Sequence, residues 1–182
     1  MTDDVFTQKQ LVRKKVKELK ALCSAEEKLI KSNRLFSELE NKQYFKDAKN
    51  IMCYWSMSDE VQTIDFIFKH MHTKQFFLPV VKGDILEVKM FEETEKMTSG
   101  EAFGISEPTG PILTDHSKLE LIIVPGIAFD KNNNRLGRGK AYYDKLLLGL
   151  KVVKVGVCFD FQFFDHVPAD ETDIKMDDVI KG

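Results

Sequence analysis

The chain has 182 residues with 43% hydrophobic and 31% charged residues, enough for one soluble domain that can bury roughly 70% of its unfolded surface. A formal charge of -2 argues against bulk nucleic-acid binding. The three cysteines form no C-x-x-C pair, and no window approaches 18 uninterrupted apolar residues, so neither a disulfide framework, a signal peptide nor a membrane span is expected. A cytoplasmic location, with no nucleic-acid and no membrane partner, follows as the expectation.

In chain order, Leu11, Val12, Val16, Leu19 and Leu22 recur at helical spacing, with the lysines mostly on other faces. Ser24 with Glu27 forms a capping box that opens a second helix, whose stripe is Leu29, Ile30, Leu35, Phe36 and Leu39 and which ends near Asn41. From Asn50 the rhythm changes to short apolar runs over 51–55, 76–80, 86–91, 121–124 and 152–157, which predict strands. Helical stretches at 62–72 and 140–148 alternate with them. The expected architecture is a three-layer α/β/α sandwich with a mostly parallel, Rossmann-like sheet, two N-terminal helices and one domain over 1–182. Residues 94–117, rich in glycine and proline without a period, read as a long loop.

Charge is uneven. Lys9, Arg13, Lys14, Lys15, Lys17 and Lys20 crowd the first helix, whereas Asp165, Asp170, Glu171, Asp173, Asp177 and Asp178 crowd the end. The basic helix could meet a polyphosphate and the acidic end a hard cation, or both could be solvated faces.

The most informative segment is VPGIAFDKNNNRLGRGKAYYD at 124–144. A strand ends in Pro-Gly and passes into a loop where Gly137 and Gly139 free the backbone, Arg135 and Arg138 can fork onto phosphate oxygens and Lys140 is a point charge. It matches neither Walker A nor the dinucleotide fingerprint, so a glycine-rich turn with solvated basic residues remains the alternative. Asp144, one helical turn after Lys140, could hold Mg²⁺ or simply favour a helix start. Trp55 and Glu60 leave the first strand at the same rim as the glycine loop, suited to a flat heterocycle or to a capped helix entry with Ser58 or Asp59 as cap and Trp55 in the core. His70 and His72, two apart on a helix, are given no role.

Lys9 and Arg13 as KxxxR, YWSMSDEVQT at 54–63, LPVV at 78–81, the 124–144 segment and TDIKMDDV at 172–179 together resemble the 5-formyltetrahydrofolate cyclo-ligase family over nearly the whole chain. The resemblance implies ATP as co-substrate, Mg²⁺, and conversion of 5-formyltetrahydrofolate to 5,10-methenyltetrahydrofolate with release of ADP and phosphate. It places Lys9, Arg13 and the stretch Arg135, Leu136, Gly137, Arg138, Gly139, Lys140, Ala141, Tyr142 and Tyr143 around ATP. Trp55, Glu60, Phe103, Arg138 and Tyr142 fall around the folate, and Asp144 and Asp173 on Mg²⁺. Arg138, Lys140, Tyr142 and Glu60 are the implied catalytic group, and a monomer, or at most a weak dimer, is expected. Two positions depart from the family: Ala141 replaces a usual glycine, tolerable at helical dihedrals but not at positive φ, and Phe103 replaces a frequent tryptophan.

Overall fold

A computed structural model describes residues 3–100 and 104–182. Phe103 lies outside them. Helices α1 (Asp3–Leu22), α2 (Ala25–Asn41) and α3 (Gln43–Asp47) precede β1 (Asn50–Met52), α4 (Ile64–His70), β2 (Gln75–Lys82) and β3 (Ile85–Met90). A hairpin of β4 (Met97–Ser99) and β5 (Ser106–Pro108) follows, then β6 (Leu121–Pro125), β7 (Ala128–Asp130), β8 (Arg135–Leu136), α5 (Tyr142–Leu147), β9 (Val153–Cys158), β10 (Phe163–Phe164) and β11 (Asp178–Lys181).

The main sheet has the order β11-β9-β6-β1-β2-β3, parallel throughout except for the antiparallel edge strand β3. Alternate residues of a strand face opposite ways. Accordingly Ile51, Phe76, Leu121 and Ile123 pack with Leu35, Leu39, Phe45 and Phe66 of α2, α3 and α4. Met52, Phe77, Ile122 and Val124 pack on the other face with Phe129 and with Leu147 of α5. The expected three-layer α/β arrangement is present.

Two segments read as irregular carry ladders. Residues 94–117 contain the β4–β5 hairpin, and the polar stretch after Pro125 folds as the β7–β8 hairpin, to which β10 adds in parallel. These strands have two or three residues each, too few to show a period of two. Buried Asp130 organises the second hairpin: one carboxylate oxygen accepts from the amides of Asn132 and Asn134, and the other accepts from the Asn134 side chain and the Val167 amide. Helix α1 packs on this subsheet through Val16, against Ala128, Leu136 and Val167.

The predicted helices at 62–72 and 140–148 are both shorter than expected, at Ile64–His70 and Tyr142–Leu147. In the first case Ser56 and Thr63 clasp each other: the Ser56 amide donates to Thr63 Oγ1 and the Thr63 amide to Ser56 Oγ, while Tyr54 Oη donates to the Val61 carbonyl. The backbone from 54 to 63 is thereby held as a loop. Neither Ser58 nor Asp59 caps α4, whose N-cap is Thr63.

Candidate functional site

Beyond the carboxyl ends of β1, β2 and β6 lies a cleft of about 670 Å³. Strand order reverses at β1, with β2 on one side and β6 on the other, and the loops leaving β1 and β6 diverge there to open a crevice. Every residue of the expected site within the described residues lines this cleft. Trp55 and Glu60 come from the loop after β1, Arg135 to Asp144 from β8, the glycine loop and α5, Lys9 and Arg13 from α1, and Asp173 from the segment before β11.

The charges are paired across these elements. Arg138 Nη2 lies 2.9 Å from Glu60 Oε1, joining the glycine loop to the loop after β1. Arg13 Nε donates to the Gly137 carbonyl at 3.0 Å. Lys9, nearly buried, donates to carboxylate oxygens of both Asp170, at 2.8 Å, and Asp173. Burial pulls the Lys9 pKa down, but the two carboxylates more than offset it and hold the ammonium above its usual range. Lys9 in turn, with the Thr172 hydroxyl, draws the Asp170 carboxyl down to about 2. The basic helix and the acidic end therefore meet one another. Asp170, absent from the expected site, is part of its wall; the signal that could have found it was the opposite charge of the two ends.

Arg135 is the least exposed of the loop cations. Its Nη2 reaches both oxygens of Asp144 at 2.8 Å, and its guanidinium lies 5.6 Å from the Tyr143 ring centroid. Arg135 Nε and Tyr143 Oη are buried without a hydrogen-bond partner among the described residues. Burial pushes the Tyr143 phenol well above its ordinary pKa. Tyr142 Oη donates to the Gly83 carbonyl at 3.2 Å, Lys140 is exposed, and Trp55 packs against Phe91 and Phe68.

Ala141 has φ 53° and ψ 20°, left-handed, one residue beyond Lys140 and two beyond Gly139 at φ 102°. Helix α5 starts after it, so Lys140 is not on the helix and its spacing to Asp144 is not a helical turn. Asp144 is held by Arg135 and by the amide of Ile174, the residue following Asp173. The two aspartates thus border the same part of the wall. Among the described residues no group of three or more His, Cys, Asp or Glu is arranged to hold a metal. Magnesium, however, commonly takes one or two carboxylates and completes its sphere with phosphates and water. Asp144 and Asp173 are two such carboxylates, already held by Arg135 and Lys9, so an ion here would arrive with a nucleotide and share them with these cations rather than fill a preformed protein cage.

An open, mostly parallel α/β sheet with a cleft at its strand-order reversal places the chain in the doubly wound α/β class, in which ligands gather at such a crevice. Within that class the chain belongs to the 5-formyltetrahydrofolate cyclo-ligase family, whose family model matches residues 5–182. It is 36% identical over 158 residues to the probable 5-formyltetrahydrofolate cyclo-ligase of Schizosaccharomyces pombe, covering 75% of this chain and 76% of that one. It is 31% identical over 194 residues to the 5-formyltetrahydrofolate cyclo-ligase of Mus musculus, covering 97% and 94%. The NMR structure of Aquifex aeolicus 5,10-methenyltetrahydrofolate synthetase superposes with a TM-score of 0.85 at 34% identity, covering 95% of this chain and 89% of that one. Among the described residues no helix is long and apolar enough to cross a membrane.

Proposed function

We propose that the chain converts 5-formyltetrahydrofolate to 5,10-methenyltetrahydrofolate with ATP and Mg²⁺, releasing ADP and phosphate. Family membership supports the reaction class, and the observation that carries the residue assignment is the Glu60–Arg138 pair at 2.9 Å, which joins the loop after β1 to the glycine loop. A folate on Glu60 and a phosphate on Arg138 would be neighbours. The reaction needs such contact: a formamide oxygen is a poor leaving group until it carries the γ-phosphoryl group. N10 then bonds to the formyl carbon, the C–O bond breaks with departure of inorganic phosphate, and N10 loses its proton as the ring closes.

The chain's own part in this is positioning and charge neutralisation. Arg138 and Lys140 face the transferring phosphoryl group, Arg13 and Lys9 the remaining phosphates, and Tyr142 the formyl group. Glu60 orients the pterin, and Trp55 supplies the apolar wall. Asp144 and Asp173 would hold Mg²⁺ where it neutralises phosphate charge. Arg135, almost wholly buried, acts through the Asp144 carboxylate that it holds at 2.8 Å.

The test is a mixture of protein, ATP, Mg²⁺ and 5-formyltetrahydrofolate, in which the strongly absorbing methenyl product should form with one ADP per turnover. No absorbance change with authentic folate would refute the proposal. Arg138→Ala should lower kcat by about 100-fold or more while moving the melting temperature little, because its half-exposed guanidinium acts on charge developing in transfer. Equal losses of melting temperature and activity would assign it a structural role instead.

A further inference from the structure

Helix α1 presents Lys9, Arg13, Val16 and Lys20 on one face, at i, i+4, i+7 and i+11, a span of about 16 Å. Each cation on that face grips a different part of the cleft. Lys9 holds the acidic segment, Arg13 the glycine loop, and Lys20 the loop after β1, through Asp59 Oδ2 at 3.0 Å. The Lys20 side chain is only 10% exposed, although it belongs to a helix otherwise rich in solvated lysines. An ammonium buried to that degree is costly unless paired, so its placement constrains Asp59. Asp59 Oδ1 lies 3.9 Å from Arg138 Nη2, and the next residue, Glu60, bonds the same nitrogen. Lys20 and Glu60 also share the walls of a small cavity of about 10 Å³ behind the cleft.

We propose that Lys20 is a positioning residue for the reacting end of the cleft: by anchoring Asp59 it fixes the loop 55–60 so that Glu60 and Arg138 stay opposed. The proposal rests on the functional reading above for its kinetic arm only. It predicts a particular asymmetry, because the folate side of the cleft lies on the anchored loop while the remaining phosphate contacts do not.

The experiment compares full-length Lys20→Met, Lys20→Arg, Asp59→Asn and the Lys20→Met/Asp59→Asn double variant. Lys20→Met should retain native circular dichroism, lose at least tenfold in kcat and raise KM for 5-formyltetrahydrofolate several-fold, while its calorimetric Kd for ATP stays within twofold of wild type. Lys20→Arg should recover most of the loss. Asp59→Asn should match Lys20→Met, and the double variant should be no worse than either, as one chain of contact requires. Trp55, the only tryptophan, begins the anchored loop, so its fluorescence should become more accessible to acrylamide in Lys20→Met without any ligand. Turnover within twofold of wild type, ATP affinity falling in step with kcat, or an additive double variant would overturn the proposal. If the wild-type chain forms no methenyl product, the functional reading fails, and Lys20 is then judged by the quenching alone: unchanged Trp55 accessibility in Lys20→Met refutes its positioning role.

Discussion

Helices α1 and α2 are consecutive and of similar length, at 20 and 17 residues, yet they bury opposite chemistry. Helix α2 buries Leu35, Phe36 and Leu39 against the sheet and turns its charges to solvent. Helix α1 buries Lys9 and Lys20 around a single fully packed apolar residue, Val16, and leaves Leu11 62% and Leu22 82% exposed. An apolar stripe is anchored by area removed from water, which is indifferent to exact partners. A buried cation is anchored only where a counter-charge waits, so α1 is placed by the cleft loops it pairs with and they by it. Helix α2 belongs to the core and α1 to the site.

That contrast is broken most severely in α2. Leu39 has no exposed surface and sits within the cluster that joins α2 to the sheet, so Leu39→Ala should cost roughly 2–5 kcal/mol by lost burial and residual cavity. Calorimetry should show the melting temperature falling while the folded fraction keeps its ATP affinity. A parallel loss of affinity at temperatures where the chain is folded would show that α2 is coupled to the cleft after all.

Lys9→Met is the corresponding test in α1, with a smaller stability cost of about 1–3 kcal/mol, because Asp170 and Asp173 keep some solvent. Here affinity for ATP should fall by at least tenfold. The pH dependence has a definite sign. Asp170 titrates near 2 in the folded chain, below an unfolded value of about 4, so its pairing with Lys9 contributes stability above about pH 4 that is lost as pH falls toward 2. In Lys9→Met the Asp170 carboxylate loses the cation that holds its pKa down, so the variant should recover stability relative to wild type on acidification through that window. Thermal melts between pH 2 and 7 would show the two curves converging; parallel curves would mean that Lys9 does not hold Asp170.

The same contrast explains what was legible beforehand. The strands near 51, 76, 86, 121 and 152 and the Leu35, Phe36 and Leu39 part of the α2 stripe announce themselves because apolar periodicity is a local signal, whereas Leu29 and Ile30, counted toward the same stripe, lie in the first turns of α2 and are 42% and 61% exposed. The residues from Arg135 to Asp144 are legible as a loop suited to phosphate, but not as a two-residue strand, a bend with Gly139 at positive φ and a left-handed corner at Ala141. Lys20 with Asp59, and Lys9 with Asp170, are separated by 39 and 161 residues. Such pairs leave no spacing to read. Periodicity also misjudged α1, since it counted Leu11 and Leu22 toward the buried face and the lysines toward solvent. The excess of positive charge at one end and negative charge at the other is the available clue; by itself it leaves two ligand sites or two solvated faces open, and the structure adds that the two ends pair with each other through Lys9, Asp170 and Asp173.

The smallest effect tests the corner of the glycine loop that Arg13 supports. Ala141 is held at φ 53° with no side-chain bond capping α5, whereas a left-handed conformation costs a residue with a Cβ roughly 1–2 kcal/mol. Glycine would remove that strain, but it would also enlarge the conformational freedom of the unfolded chain, which offsets about 0.4–1 kcal/mol of the gain. Ala141→Gly should therefore change stability by between roughly 0 and +1.6 kcal/mol, raising the melting temperature by at most ~3–6 °C in a chain of this size. Turnover should stay within twofold, since alanine already reaches the geometry that Lys140 and Tyr142 require on either side. A lower melting temperature would show that the unfolded-state term dominates and that the alanine methyl is no burden to the loop. A large gain in turnover would show instead that Ala141 holds the loop away from its working geometry.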